Sequence, residues 1–251
     1  MSERKNYKIY IRENVLACGL YKFLIEENDY NPVLESLILR GTNNKQYYIE
    51  NVDKTELELL KDKIVRKNYP ETLFIYGGYI IRHFGHFLLE SCSRLWYPYK
   101  LLLYSKEIFD IELIFTYNSD KLEYPVYVDE VLSIIAKDFK LTIIDSKTLT
   151  YFESIIIPQQ SFNIRNKANN SFLYFYDKFI SQNLNHKFLK NSQFEIIYFT
   201  RHKLSKIKRT VLNEKELIKY LKFKYHDNIK IVSPEEISLK SMVNIINNAT
   251  Y

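Results

Sequence analysis

The chain has 251 residues, 46% of them hydrophobic and 16% aromatic, enough to bury a sizeable core in one large or two small domains. A formal net charge of +6 and a pI near 9.0 suit an anionic partner: a nucleotide, an acidic glycan or a membrane surface. Cys18 and Cys92 build no disulfide framework and read as reduced thiols, the opening MSERKNYKIYIRE has no apolar signal region, and no apolar run approaches the ~18 residues needed to span a bilayer. The expected setting is therefore cytoplasmic, with room for a peripheral place at the inner face of the cell membrane.

In chain order, Tyr7–Arg12 alternates like a short strand, and Val33–Leu39 and Gln46–Val52 read as two more, joined by the turn-prone Gly41-Thr42-Asn43-Asn44. Asp53–Lys67 carries a helical pattern, with Leu57, Leu60 and Ile64 among charges and Asp53 as N-cap. Leu73–Ile81 is apolar and β-favouring, broken by Gly77-Gly78. From Phe84 the period changes: Phe84, Phe87, Leu88, Leu95 and Trp96 recur at helical intervals, and Pro98 is expected to end or kink that helix.

Gly77–Tyr97 is where chemistry concentrates. His86 and Glu90 are four apart, which puts both side chains on one helical face. His83 lies one turn before His86, and Gly85 leaves room for close approach to the backbone. A bland core, a metal site built from His83, His86 and Glu90, and acid/base catalysis by His86 with Glu90 orienting its ring all fit this pattern. The stretch lacks the His-Glu-x-x-His order of zinc hydrolases.

Ile111–Thr116, Leu141–Asp145 and Ser154–Ile157 read as strands and Tyr127–Asp138 as a helix, an alternation that implies parallel βαβ units. Gln159–Asn170 is polar and reads as a loop or linker, followed by an aromatic-rich helix over Phe172–Leu189 that would cross between two lobes. A strand at Phe194–Thr200 then meets Arg201–Arg209, RHKLSKIKR, with five Lys or Arg in nine residues and no acid. A basic loop between strand and helix suits phosphate, because cationic forks and helix N-terminal amides both favour anions. A nucleic-acid surface would need basic and aromatic residues spread more widely.

HFGHFLLESCSRLW resembles the signature of glycosyltransferase family 61, in which Asn, His, an acidic residue and Arg-Leu follow at set spacing. His86, Glu90, Arg94 and Leu95 match it, and His83 stands where Asn is usual. A second motif of that family, a strand, an Arg, a basic loop, another Arg and Asn-Glu opening a helix, is matched by Arg201, Arg209, Asn213 and Glu214.

The resemblance implies an α/β, GT-B-like protein of two Rossmann-like lobes. Residues 1–170 would form the acceptor-side lobe, 171–193 a connecting helix, and 194–251 a donor-side lobe. Relatives continue into a His-Gly-Ala turn and a further helix, so the expectation is a second lobe that is incomplete, with Ile245, Ile246 and Tyr251 unusually exposed. The implied reaction is inverting transfer from a nucleotide sugar to a glycan or lipid-linked glycan acceptor in capsular or lipopolysaccharide synthesis. It calls on no cofactor and no metal, with His86 and Glu90 catalytic and Arg94, Arg201, Arg209, Asn213 and Glu214 binding substrate. A non-catalytic glycan-binding remnant and a metal-dependent hydrolase are the rival readings.

Overall fold

The computed structural model describes residues 8–21, 23–37, 52–105, 110–121, 125–162, 170–183, 196–200, 213–233, 236–238, 241–242 and 245–246. The chain divides into two compact units, Met1–Leu184 and Asn185–Tyr251. The first unit is mixed α/β, built on a seven-stranded sheet. Its strands are β1 (Ile9–Cys18), β2 (Ile25–Glu26), β3 (Val65–Lys67), β4 (Thr72–Tyr79), β5 (Asp110–Thr116), β6 (Lys140–Ile144) and β7 (Leu149–Pro158). Its helices are α1 (Lys54–Leu60), α2 (Phe84–Leu89), α3 (Trp96–Tyr104), α4 (Val126–Ile135) and α5 (Ser171–Asn183).

The strand order is β2-β1-β7-β4-β5-β6, with β3 also pairing β7. β4, β5 and β6 are parallel, as the strand-helix alternation requires, and β7 runs parallel to β4 through Ile75 and Ile156. The other edge of the sheet is antiparallel: β1 runs antiparallel to β7 from Ile9↔Pro158 to Cys18↔Leu149, and β2 is antiparallel to β1. Alternation along β1 feeds two cores. Val15 and Ala17 pack with Phe74, Tyr76, Ile114, Phe152 and Ile157. Leu16 and Cys18 pack with Phe23, Leu37, Leu57 and Leu149. A sheet covered on both faces needs apolar residues at successive positions, and β1 supplies them.

Several local expectations yield to tertiary pairing. The helix from Asp53 is real at its start, where the Asp53 carboxylate accepts from Thr55 N at 2.9 Å and Glu56 N at 3.3 Å. It stops at Leu60, and after a 3-10 turn over Lys61–Lys63 the chain becomes β3, paired with Thr150–Phe152. β-Branched Val65 beside a ready strand outweighs a weak helical preference. Val33–Leu37 is no strand: a 3-10 turn spans Leu34–Ser36, and the Ser36 hydroxyl donates to Val33 O at 2.6 Å while accepting from Leu24 N at 2.8 Å. The strand expected at Gln46–Val52 lies outside the described residues but for Val52, which is not in a strand. Pro98 does not end a helix; it sits in the first turn of α3, where its missing N–H costs nothing.

α5 packs on α3 within the first unit: Phe175 is buried with its ring 5.6 Å from that of Tyr99, and Tyr104 and Tyr174 meet edge to face. On the sheet, fully buried Glu112 accepts from Lys67 Nζ at 2.9 Å and Thr142 Oγ1 at 2.5 Å. Lys140 Nζ lies 2.7 Å from its other oxygen, an ion pair whose angle falls short of a hydrogen bond.

In the second unit, β8 (Ile196–Phe199) and β9 (Ile229–Val232) form a parallel pair connected through α6 (Glu214–Tyr225). Asn213 precedes α6 in the left-handed region at φ 60°, a conformation Asn tolerates. Buried Glu214 accepts from Tyr198 Oη at 3.0 Å, fastening α6 to β8. Of the tail residues expected to be exposed, Ile246 is exposed and Ile245 half-buried, while Tyr251 lies outside the described residues.

Candidate active site

The parallel strands place the site. β4, β5 and β6 follow one another to one side, whereas β7 returns to the other side of β4. In open α/β sheets the crevice at such a reversal, outside the carboxyl ends of the strands, is where ligands bind. The carboxyl end of β4 runs through Ile80–His83 into α2, and the carboxyl end of β7 runs into Gln159–Ser161. His86 therefore stands on the helix that follows the strand at the switch point.

The backbone that carries it is fastened at several points. Ser91 Oγ donates to Tyr79 O at 2.5 Å and accepts from Ile81 N at 3.1 Å, stapling the end of β4 to the turn beyond α2. Gly78 passes Ser91 so closely, at φ 134°, that a Cβ there would lie 2.7 Å from Ser91 O. Tyr127 of α4 donates to Arg82 O, and its ring meets Phe84 edge to face. Tyr176 of α5 donates to Leu88 O. From the β7 side, Ser161 donates through its backbone and hydroxyl to Ser93 O, and Trp96 Nε1 donates to Gln159 O at 2.8 Å.

The expected single helix from Phe84 through Trp96 is interrupted. α2 ends at Leu89, a 3-10 turn covers Ser91–Arg94, and α3 starts at Trp96. The hydroxyls of Ser91 and Ser93 bond to Tyr79 O and Glu90 O, offering the backbone an alternative to α-helical pairing. The break comes after Glu90, so the helical spacing of the pair survives, with Glu90 N donating to His86 O at 2.8 Å.

His86 Nδ1 lies 2.9 Å from Glu90 Oε2; the imidazole side chain is 30% exposed and the carboxylate 0%. A buried carboxylate on Nδ1 favours the tautomer with hydrogen there, which leaves Nε2 as a proton acceptor. The His83 ring, itself exposed, stands 4.7 Å from that of His86, with the two ring planes at 64°. Among the described residues a Cβ on Gly85 would meet only His83 Nδ1, at 4.0 Å, which leaves the backbone here open on their side. Among the described residues, no group of three or more His, Cys, Asp and Glu side chains is placed to hold a metal ion.

The other residues singled out from the sequence fall elsewhere. Arg94 is 1% exposed and turned inward: its Nη2 donates to Glu35 O at 3.2 Å, Ser36 O at 3.1 Å and Leu37 O at 2.7 Å, and the guanidinium lies 5.6 Å from the centre of the Tyr76 ring. Burial pulls it down from 12.5 to about 10. Asn213 and Glu214 open α6 as expected, with Glu214 buried against Tyr198, while Arg201 and Arg209 lie outside the described residues. Sequence reading passed over Ser91, Tyr127, Tyr176 and Ser161; of these only Ser161 had a local signal, its place just after the strand-ending Pro158.

Residues 84–251 match the family model described as Glycosyltransferase 61, a span that begins at α2 and takes in the whole second unit. No curated protein matches the chain.

Proposed function

We propose, on the premise that the chain belongs to glycosyltransferase family 61, that it transfers a sugar with inversion from a nucleotide sugar to a glycan acceptor, with His86 as the base. Membership makes the chain a glycosyltransferase enzyme. In the proposed step His86 Nε2 takes the proton of an acceptor hydroxyl as that oxygen bonds to the anomeric carbon. The bond from that carbon to the diphosphate breaks, and the nucleoside diphosphate leaves with its electron pair. Glu90 holds the ring and stabilises the imidazolium that forms. The developing charge on the diphosphate calls for fixed cations and amides, the part assigned to Arg201, Arg209 and the start of α6 at Asn213. Acceptor chemistry on the first unit and donor phosphate contacts on the second follow the GT-B division of labour. The proposed setting is cytoplasmic synthesis of a surface polysaccharide.

One observation supports this reading above the others: a partly exposed imidazole, backed at 2.9 Å by a fully buried carboxylate, on the helix after the switch-point strand. The test is nucleotide release from a panel of nucleotide sugars, with and without glycan acceptors. His86→Ala should cost about 10²–10⁴-fold in turnover, the range for a general base. Glu90→Gln, which keeps a hydrogen-bond acceptor but removes the charge, should cost less. Turnover unchanged by His86→Ala would sink the assignment, and glycan binding without turnover in the wild-type chain would favour a non-catalytic role.

A further inference from the structure

The outer face of α6 carries a feature that the transfer reaction does not use. At 100° per residue, Glu214, Ile218, Leu221 and Tyr225 share one side of the helix. That side holds the buried or half-buried positions. Phe223 lies diametrically opposite at 77% exposure, the most exposed aromatic side chain among the described residues, with Tyr220 beside it at 55% and Leu217 at 37%. Phe223 and Tyr220, three residues apart, are neighbours on the helix surface, and an exposed aromatic pair rimmed by charges marks an interaction surface.

The charges around it say what that is. Lys215, Lys219 and Lys222 flank the crest on one side and Lys224 on the other, all exposed. The Lys224 ammonium lies 6.0 Å from the Tyr220 ring centre. Of the exposed acids of this stretch, Glu216 sits on the crest itself, about 20° from Phe223, and Asp227 lies beyond the end of the helix; the four flanking lysines outnumber them. Aromatic side chains framed by lysines form the pattern of a helix lying in a bilayer interface, with rings among the upper acyl carbons and ammonium groups among lipid phosphates. A soluble polyanion would use the lysines but would have no place for Phe223.

We propose that this face of α6 docks the enzyme on an anionic lipid surface. The residues of this face take no part in the step proposed for His86, so the proposal stands whether or not His86 is the base. The full chain should co-sediment with phosphatidylcholine vesicles containing phosphatidylglycerol and not with vesicles of phosphatidylcholine alone. Lys219→Gln and Lys222→Gln should each weaken binding about fivefold, and Phe223→Ala about tenfold, with the circular dichroism spectrum of each variant unchanged. Lys137→Gln, on the first unit, should do nothing. Because Trp96 is buried, emission from a Phe223→Trp variant reports on the crest, and it should shift to the blue when anionic vesicles are added. Equal binding to neutral vesicles, undiminished binding by the Phe223→Ala chain, or an unmoved Phe223→Trp emission would overturn the proposal. So would binding to a soluble sulfated dextran that equals vesicle binding and is insensitive to Phe223→Ala.

Discussion

Replacing Arg94 separates a residue that holds the fold from one that holds substrate. Its Nη2 is shared among the carbonyls of Glu35, Ser36 and Leu37. Bonds from a charged donor contribute ~1.5–3 kcal/mol, and one nitrogen divided among three acceptors is worth about the top of that range. Against it stands the cost of a dry charge: burial pulls the guanidinium from 12.5 to about 10. At ~1.4 kcal/mol per pH unit, a fall of that size costs about 3 kcal/mol. Nε and Nη1 have no hydrogen-bond partner among the described residues to offset it. The two effects nearly cancel, so Arg94→Met, which keeps the volume beside Tyr76, should lower unfolding free energy by only about 1–2 kcal/mol, chiefly for the orphaned carbonyls. Arg94→Ala adds a cavity and should cost about 3–5 kcal/mol. Urea unfolding of the two variants measures the difference, and donor KM measured beside it should not move. A donor KM that rises steeply in Arg94→Met with stability unchanged would refute the argument and return Arg94 to the substrate.

Two further perturbations test the scaffold. Gly78→Ala forces a Cβ to 2.7 Å from Ser91 O at a φ that side chains avoid; it should lower stability by about 2 kcal/mol or more and reduce turnover with it, through displacement of Ser91. Thermal unfolding together with the transfer assay checks this, and an Ala variant of wild-type stability would contradict the close approach. Glu112 is pushed up by burial, but its ion pair with Lys140 and its hydrogen bonds with Thr142 and Lys67 outweigh that and hold it below its ordinary value. A depressed folded value stabilises above the ordinary 4.5 and is lost as pH falls through the folded value. Glu112→Gln should therefore be less stable than wild type at neutral pH, with the gap closing in acid; a gap constant with pH would show that the carboxylate contributes no charge-dependent stability.

Much of the first unit was legible because its signals are local. The apolar runs of β4 and β5, the Asp53 cap and the four-residue spacing of His86 and Glu90 all act within a few residues. What escaped depends on distant partners. β3 is a strand because Thr150–Phe152 lies beside it, and β1 runs on to Cys18 because β7 does. Arg94 matches a motif by type, but nothing in a residue type says that the side chain turns inward to a turn nearly sixty positions back. The clamps on α2 from Tyr127 and Tyr176 are likewise invisible, since a tyrosine in an aromatic-rich chain carries no mark of its partner.

The place of β7 has a consequence for the order in which the molecule comes into being. It is the central strand, joining β1 on one flank to β3 and β4 on the other, yet every strand it pairs with precedes it in the chain. During synthesis the parallel block of β4, β5 and β6 can assemble from contacts of modest separation. β1 waits with a bare flank until a partner more than a hundred residues away emerges. Two open strand edges thus persist through most of translation, the interval in which a nascent chain is most exposed to mispairing and to chaperone capture. β7 also leads into the segment that grips Ser93 and Trp96 behind the candidate base. The insertion that closes the sheet of the first unit is therefore also the one that braces the backbone behind the candidate base.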